Sequence, residues 1–145
     1  MNYHQKVLSI HRKQSTVSVL EHEVTLIGSK GRARCQALFD SGATYSIIRK
    51  DIAEIIAPLD PFPDPENWIF ETARAGQLIE ARYRVALGFR FADSEARFSD
   101  EFVVFDDLSE EVIIGAKTMQ AWRITVDFKT ERVVYRKTAE KLRVI

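Results

Sequence analysis

The stretch Leu38-Phe39-Asp40-Ser41-Gly42-Ala43-Thr44 decides how this chain is read: an apolar run stops at a carboxylate, and a small hydroxyl residue and a glycine follow at once. Apolar residues ahead of the acid predict a buried strand, and Gly42 lets the backbone turn where a side chain would clash. A carboxylate is therefore expected at a strand end, held by a tight loop. Asp, Ser and Gly also fill ordinary turns for reasons of backbone conformation alone. The surrounding chain has to decide between a turn and a site.

Just upstream, Val17-Ser18-Val19-Leu20 and Val24-Thr25-Leu26-Ile27 have the β-branched content of strands, and Gly28-Ser29-Lys30-Gly31 is a turn signal. Arg32 to Phe39 then returns as the second arm of a hairpin that delivers Asp40. Downstream, Tyr45 to Ile48 continues extended. Ile48, Ile52, Ile55 and Ile56 have helical spacing, which Pro58 ends. All four prolines lie at positions 58, 61, 63 and 65, so a stiff surface connection is expected there rather than a core element.

A second hairpin is predicted from Trp68–Thr72 and Gln77–Ala81, with Gly76 in its turn. Tyr83, Val85, Leu87, Phe89 and Phe91 alternate with Arg82, Arg84 and Arg90, giving a strand with an apolar face and a basic, solvated one. Phe98 to Phe105 returns as a strand, and Val112-Ile113-Ile114 is a short apolar run stopped by Gly115. Ala116 to Trp122 follows as a short helix with Trp122 as a structural anchor. Arg123–Phe128 and Arg132–Tyr135 close the chain as a hairpin. Many short strands with two short helices indicate a mainly β, closed or sandwich-like domain.

The 145 residues, 46% of them hydrophobic, suit one domain with one core. Residues 16–137 are expected to form it, with 1–15 as a mobile N-terminal arm and 138–145 as a C-terminal tail. The 21 basic and 21 acidic residues cancel, yet residues 1–13 and 136–143 each carry +3, leaving −6 between them. At that density the basic ends are expected to be solvated, and nucleic acid is set aside as a partner. His4, His11 and His22 have no zinc-ligand spacing, so neither a metal nor another cofactor is expected. Cys35, the lone cysteine, is expected to be a small core residue rather than a nucleophile. With no leader-like start and no apolar run of about 18 residues, a cytoplasmic protein away from membranes is expected.

The order of parts then becomes informative. A strand ending in Asp-Ser-Gly-Ala-Thr, a hairpin, and Val112-Ile113-Ile114-Gly115 leading into a short helix and a final hairpin resemble the retropepsin-like aspartic proteases, from about Val17 to Tyr135. Cellular or prokaryotic members fit better than viral ones: viral members carry a second aspartate where Thr44 stands and an arginine where Ala116 stands. The resemblance implies a closed β-barrel, the acid-protease half-fold, active as a homodimer, because the chain supplies only one Asp-[Ser/Thr]-Gly. It also implies a peptide or protein substrate, with Asp40 as the catalytic residue. Ser41, Gly42, Ile113, Ile114 and Gly115 would support the catalytic loop. Ala43 and Thr44 would lie beside the substrate, and Thr72, Ala73, Arg74 and Gly76 would belong to a flap that closes over it.

A second reading keeps the fold without the chemistry, as a dimerisation or peptide-binding module. A hydrolase built on Ser41 is disfavoured because no histidine follows it in the chain.

Overall fold

The computed structural model describes residues 6–9, 19–63, 68–71 and 78–135. Strands β2 (Val19–Ile27) and β3 (Arg32–Asp40) form one antiparallel hairpin in register from Ile27 opposite Arg32 to Val19 opposite Asp40. The Gly28 amide donates to the Gly31 carbonyl at 2.9 Å to close its turn. That turn also does a second job. The Lys30 amide donates at 2.8 Å to the carbonyl of Ile56, at the end of helix α1 (Lys50–Ile56), whose last carbonyls would otherwise lack partners.

Beyond α1 come β5 (Asp60–Pro61), β6 (Trp68–Glu71), β7 (Leu78–Glu80), β8 (Tyr83–Arg90), β9 (Phe98–Phe105) and β10 (Val112–Ile114). β4 (Ile47–Arg49) precedes the helix; α2 (Ala116–Trp122), β11 (Thr125–Asp127) and β12 (Arg132–Val134) end the described chain. The main sheet runs β2-β3-β10-β4-β9-β8 and closes through a β2–β8 pairing, with β5 added on β8. β3 with β10 and β4 with β9 are parallel, and the remaining ring pairs are antiparallel. Closure satisfies backbone groups that an open sheet would leave at its edges.

Why several of these strands are apolar on successive residues is explained by what lies on either side. Along β3, Ala37 and Phe39 face the main core, while Leu38 faces a second apolar cluster. The same division holds for Val112 and Ile114 against Ile113, for Ile48 against Ile47, and for Phe102 and Val104 against Val103 and Phe105. Each strand is therefore covered on both faces, which requires runs rather than alternation. β8, by contrast, buries Val85, Leu87 and Phe89 and keeps clear alternation. Arg84 on its outer side pairs with Asp60 at 3.1 Å.

The second cluster is roofed by the β6–β7 hairpin, which contributes Phe70 and packs Trp68 and Ile79 against it. Two expectations change here. The proline-rich connection is not confined to the surface: Asp60–Pro61 is an edge strand on β8, and Phe62 is buried, stacking on Trp68 at 4.5 Å. Its flanking prolines hid a core residue. Within the stretch expected to be a mobile arm, Lys6–Ser9 forms β1, parallel to β6. A four-residue strand with no period of its own is legible only once the edge it pairs with is known. Residues 136–145, including the expected tail, lie outside the described residues.

Candidate active site

Asp40 is the last residue of β3. Period-two alternation puts it on the same face as Leu38, the face roofed by β6 and β7. One carboxylate oxygen, Oδ1, accepts the Gly42 amide at 2.8 Å, and the Asp40 carbonyl accepts the Ala43 amide at 3.1 Å. The Asp-Ser-Gly turn is thus written by the acid itself, which holds its own side chain in place. Asp40 is fully buried, at 0% exposure, while Ser41, Gly42 and Thr44 are exposed and Ala43 is buried.

The loop is fastened from below. β10 pairs in parallel with β3, placing Ile113 opposite Leu38 and Ile114 opposite Phe39. Gly115 then passes so close to the loop that a Cβ there would lie 2.5 Å from the Tyr45 carbonyl oxygen and 2.9 Å from that of Ala43. Only glycine permits that approach. Helix α2 starts immediately afterwards without a side-chain cap. Its first amides instead go to the loop, Ala116 to the Ala43 carbonyl at 2.7 Å and Lys117 to the Thr44 carbonyl at 3.0 Å. Backbone bonds thus join the Asp40 loop to the start of α2.

A polar relay runs beneath this contact. The Gly115 amide donates to Ser46 Oγ at 3.0 Å, Ser46 lies 2.5 Å from Thr118 Oγ1, and Thr118 donates to Asp100 Oδ2 at 2.6 Å. With Ser46 already accepting, its own proton points to Thr118, so all three bonds run toward the Asp100 carboxylate. Ser46 and Thr118 are both buried. These three residues, and Tyr45, were not singled out in the sequence. Tyr45 packs edge-on against Trp68 and Phe70 of β6, at 6.0 and 6.4 Å, and carries the Lys117 ammonium over its ring at 4.7 Å. An aromatic directly after the loop was the available signal for Tyr45. Ser46, Thr118 and Asp100 are too far apart in the chain to be linked by spacing.

Beside the loop, Ser41, Ala116, Met119, Ile124, Val126 and Phe128 line an open cavity of about 300 Å³. The structure therefore brings together Asp40, Ser41, Gly42, Ala43, Thr44, Ile113, Ile114 and Gly115. Thr72, Ala73, Arg74 and Gly76 lie outside the described residues, although the strands flanking them pair as an antiparallel hairpin. Cys35 sits in the core, where burial pushes its thiol up to about 11. Among the described residues no cluster of His, Cys, Asp and Glu could hold a metal ion, and no helix is long and apolar enough to cross a membrane.

No protein-family profile matches the chain, and no curated protein matches it in sequence. Among solved structures, the retroviral protease-like domain of Ddi1 from Leishmania major superposes with a TM-score of 0.60 at 21% identity, covering 83% of this chain and 90% of that one. At that identity the likeness is one of fold: a mainly β, retropepsin-like closed barrel with two helices.

Proposed function

We propose that the protein is an aspartic endopeptidase that acts as a homodimer, with Asp40 from each chain forming the catalytic pair. The observation that supports this most is Asp40 itself, a buried carboxylate at a strand end in a barrel of the retropepsin type, held in a loop clamped by β10 and α2. Two such carboxylates facing each other share one proton, because adjacent like charges cannot both ionise cheaply, and they titrate as a pair. The ionised member takes a proton from a water held between them as that water attacks the peptide carbonyl carbon. The protonated member gives its proton to the carbonyl oxygen. Collapse of the resulting diol, with a proton passed to the amide nitrogen, breaks the C–N bond and frees two peptides.

The partner chain docks along the groove beside Ser41. One carboxylate per chain requires a second copy against this face, and Met119, Ile124, Val126 and Phe128 supply apolar area there. The supporting test is incubation of wild type and Asp40→Asn with a diverse peptide library from pH 3 to 8 at high protein concentration, with products identified by mass spectrometry. Cleavage by wild type alone is expected; equal cleavage by the variant overturns the assignment.

One observation favours a second reading, a peptide-binding or dimerisation module without turnover: Asp40 has no exposed surface in the single chain, whereas a water-activating carboxylate needs access to water and substrate. Folded, dimeric wild type that binds peptides and cleaves none across that pH range would select this reading.

A further inference from the structure

The β6–β7 hairpin is the part of the fold an extended peptide would use. It roofs the face of β3 that bears Leu38 and Asp40, and Trp68 and Phe70 of β6 rest on Tyr45 of the Asp40 loop. One edge of β6 is taken by β7. The other edge is where an added strand would find unpaired amides and carbonyls, since extended peptides bind sheet edges through main-chain bonds with little regard for sequence. In this chain that edge is filled. Lys6, Val7, Leu8 and Ser9 lie opposite Trp68, Ile69, Phe70 and Glu71 in parallel register, in the order β1-β6-β7.

We infer that Lys6–Ser9 is an internal occupant of the peptide-binding edge of β6, so that the chain competes with extended peptides offered in trans. This rests on the reading of the β6–β7 hairpin as the substrate flap. A four-residue ladder is weak by itself, but a tether gives it an effective concentration on the order of millimolar. A free peptide of comparable intrinsic affinity is then excluded until β1 leaves. Peptides would accordingly reach the edge of β6 only in the fraction of molecules whose β1 is displaced, which lowers wild-type turnover without abolishing it.

Proline on β1 tests this in the full-length chain. Successive amides of a strand point to opposite sides, so Val7→Pro with Leu8→Pro removes at least one donor facing β6 whichever way β1 is turned. The background is Asp40→Asn, which prevents consumption of the ligand. The ligand is a fluorescent decapeptide with the sequence of residues 4–13, followed by anisotropy. The double-proline chain is expected to bind it at least 10-fold more tightly than the chain with native β1. Equal affinity, or no binding by either, overturns the inference. If the double variant does not fold, Leu8→Pro and Ser9→Pro made singly serve, since one of these two adjacent amides faces β6, and at least one of them is expected to tighten binding. The outcome is separable from the proposed activity: library cleavage by wild type with equal affinities in this assay leaves the endopeptidase and removes the internal occupant. Tighter binding by the proline chain with no cleavage by any chain keeps the occupant within a binding module.

Discussion

The amide of Gly115 donates to the buried hydroxyl of Ser46 at 3.0 Å across 69 positions of sequence, tying the start of α2 to the strand that leaves the Asp40 loop. Ser46 would be an ordinary β-strand hydroxyl without this bond. With it, the oxygen accepts from Gly115 and spends its proton on Thr118, which spends its own on Asp100. The position of the loop is therefore anchored, through Thr118 of α2, at a carboxylate on β9.

Breaking the middle of that relay should be costly. Thr118→Val keeps the shape but leaves the Ser46 proton and an Asp100 oxygen without their partner, an effect of about 1–3 kcal/mol. Thr118→Ser retains the hydroxyl and should lose less. Urea denaturation of the two variants side by side checks this: equal midpoints would mean that the hydroxyl does not hold the contact. If the relay positions the loop, turnover should fall in Thr118→Val and recover in Thr118→Ser.

Gly115 and Gly31 should respond oppositely to alanine. A Cβ at Gly115 would meet the Tyr45 and Ala43 carbonyls, both backbone atoms that move only if the loop moves. A cost of about 1–3 kcal/mol is expected for Gly115→Ala. At Gly31 nothing lies within 4 Å of the new methyl, so Gly31→Ala should change stability by less than about 0.5 kcal/mol. Thermal unfolding of both, against wild type, distinguishes a glycine required by close approach from one that only sits in a turn.

Much of this architecture was legible because local signals and tertiary demands agree. The Gly28–Gly31 turn between two β-branched runs marks the hairpin that carries Asp40, and the spacing of Ile48, Ile52 and Ile56 marks α1. The run Phe102–Phe105 reads as a strand covered on both faces, which is what the two clusters on either side of β9 impose. What was not legible depends on partners distant in sequence. Phe62 sits between prolines and looks like loop, yet Trp68 stacks on it; the strand Lys6–Ser9 exists only against β6; and the Ser46–Thr118–Asp100 relay joins three elements with no common spacing.

Cys35 gives a pH-dependent test of the core. Burial raises its thiol from 9.0 to about 11, with Glu111 as a smaller contribution. Because the folded chain holds the proton more tightly than the unfolded one, the stabilisation is full below pH 9 and is lost as pH rises toward 11. Stability should therefore fall over that window in wild type and fall less in Cys35→Ala. Alkylation of the thiol at pH 8 should be slow in the native protein and rapid in urea; fast native alkylation would contradict the burial.

Dimerisation offers the sharpest separation of fold from activity. Phe128 is 39% exposed and lines the groove beside Ser41, so its replacement by aspartate does little to the single chain's core. If the partner docks on this face, Phe128→Asp introduces two like charges near the two-fold axis and removes apolar area from both sides, weakening association twice over. Specific activity should then depend steeply on protein concentration, with the half-maximal point at least 10-fold higher than in wild type and the same limit at saturation. Sedimentation velocity over the same range should show the monomer–dimer midpoint moving with the activity. An unchanged midpoint would move the axis to another face of the barrel, while a lost plateau at full dimerisation would mean that Phe128 shapes the site itself.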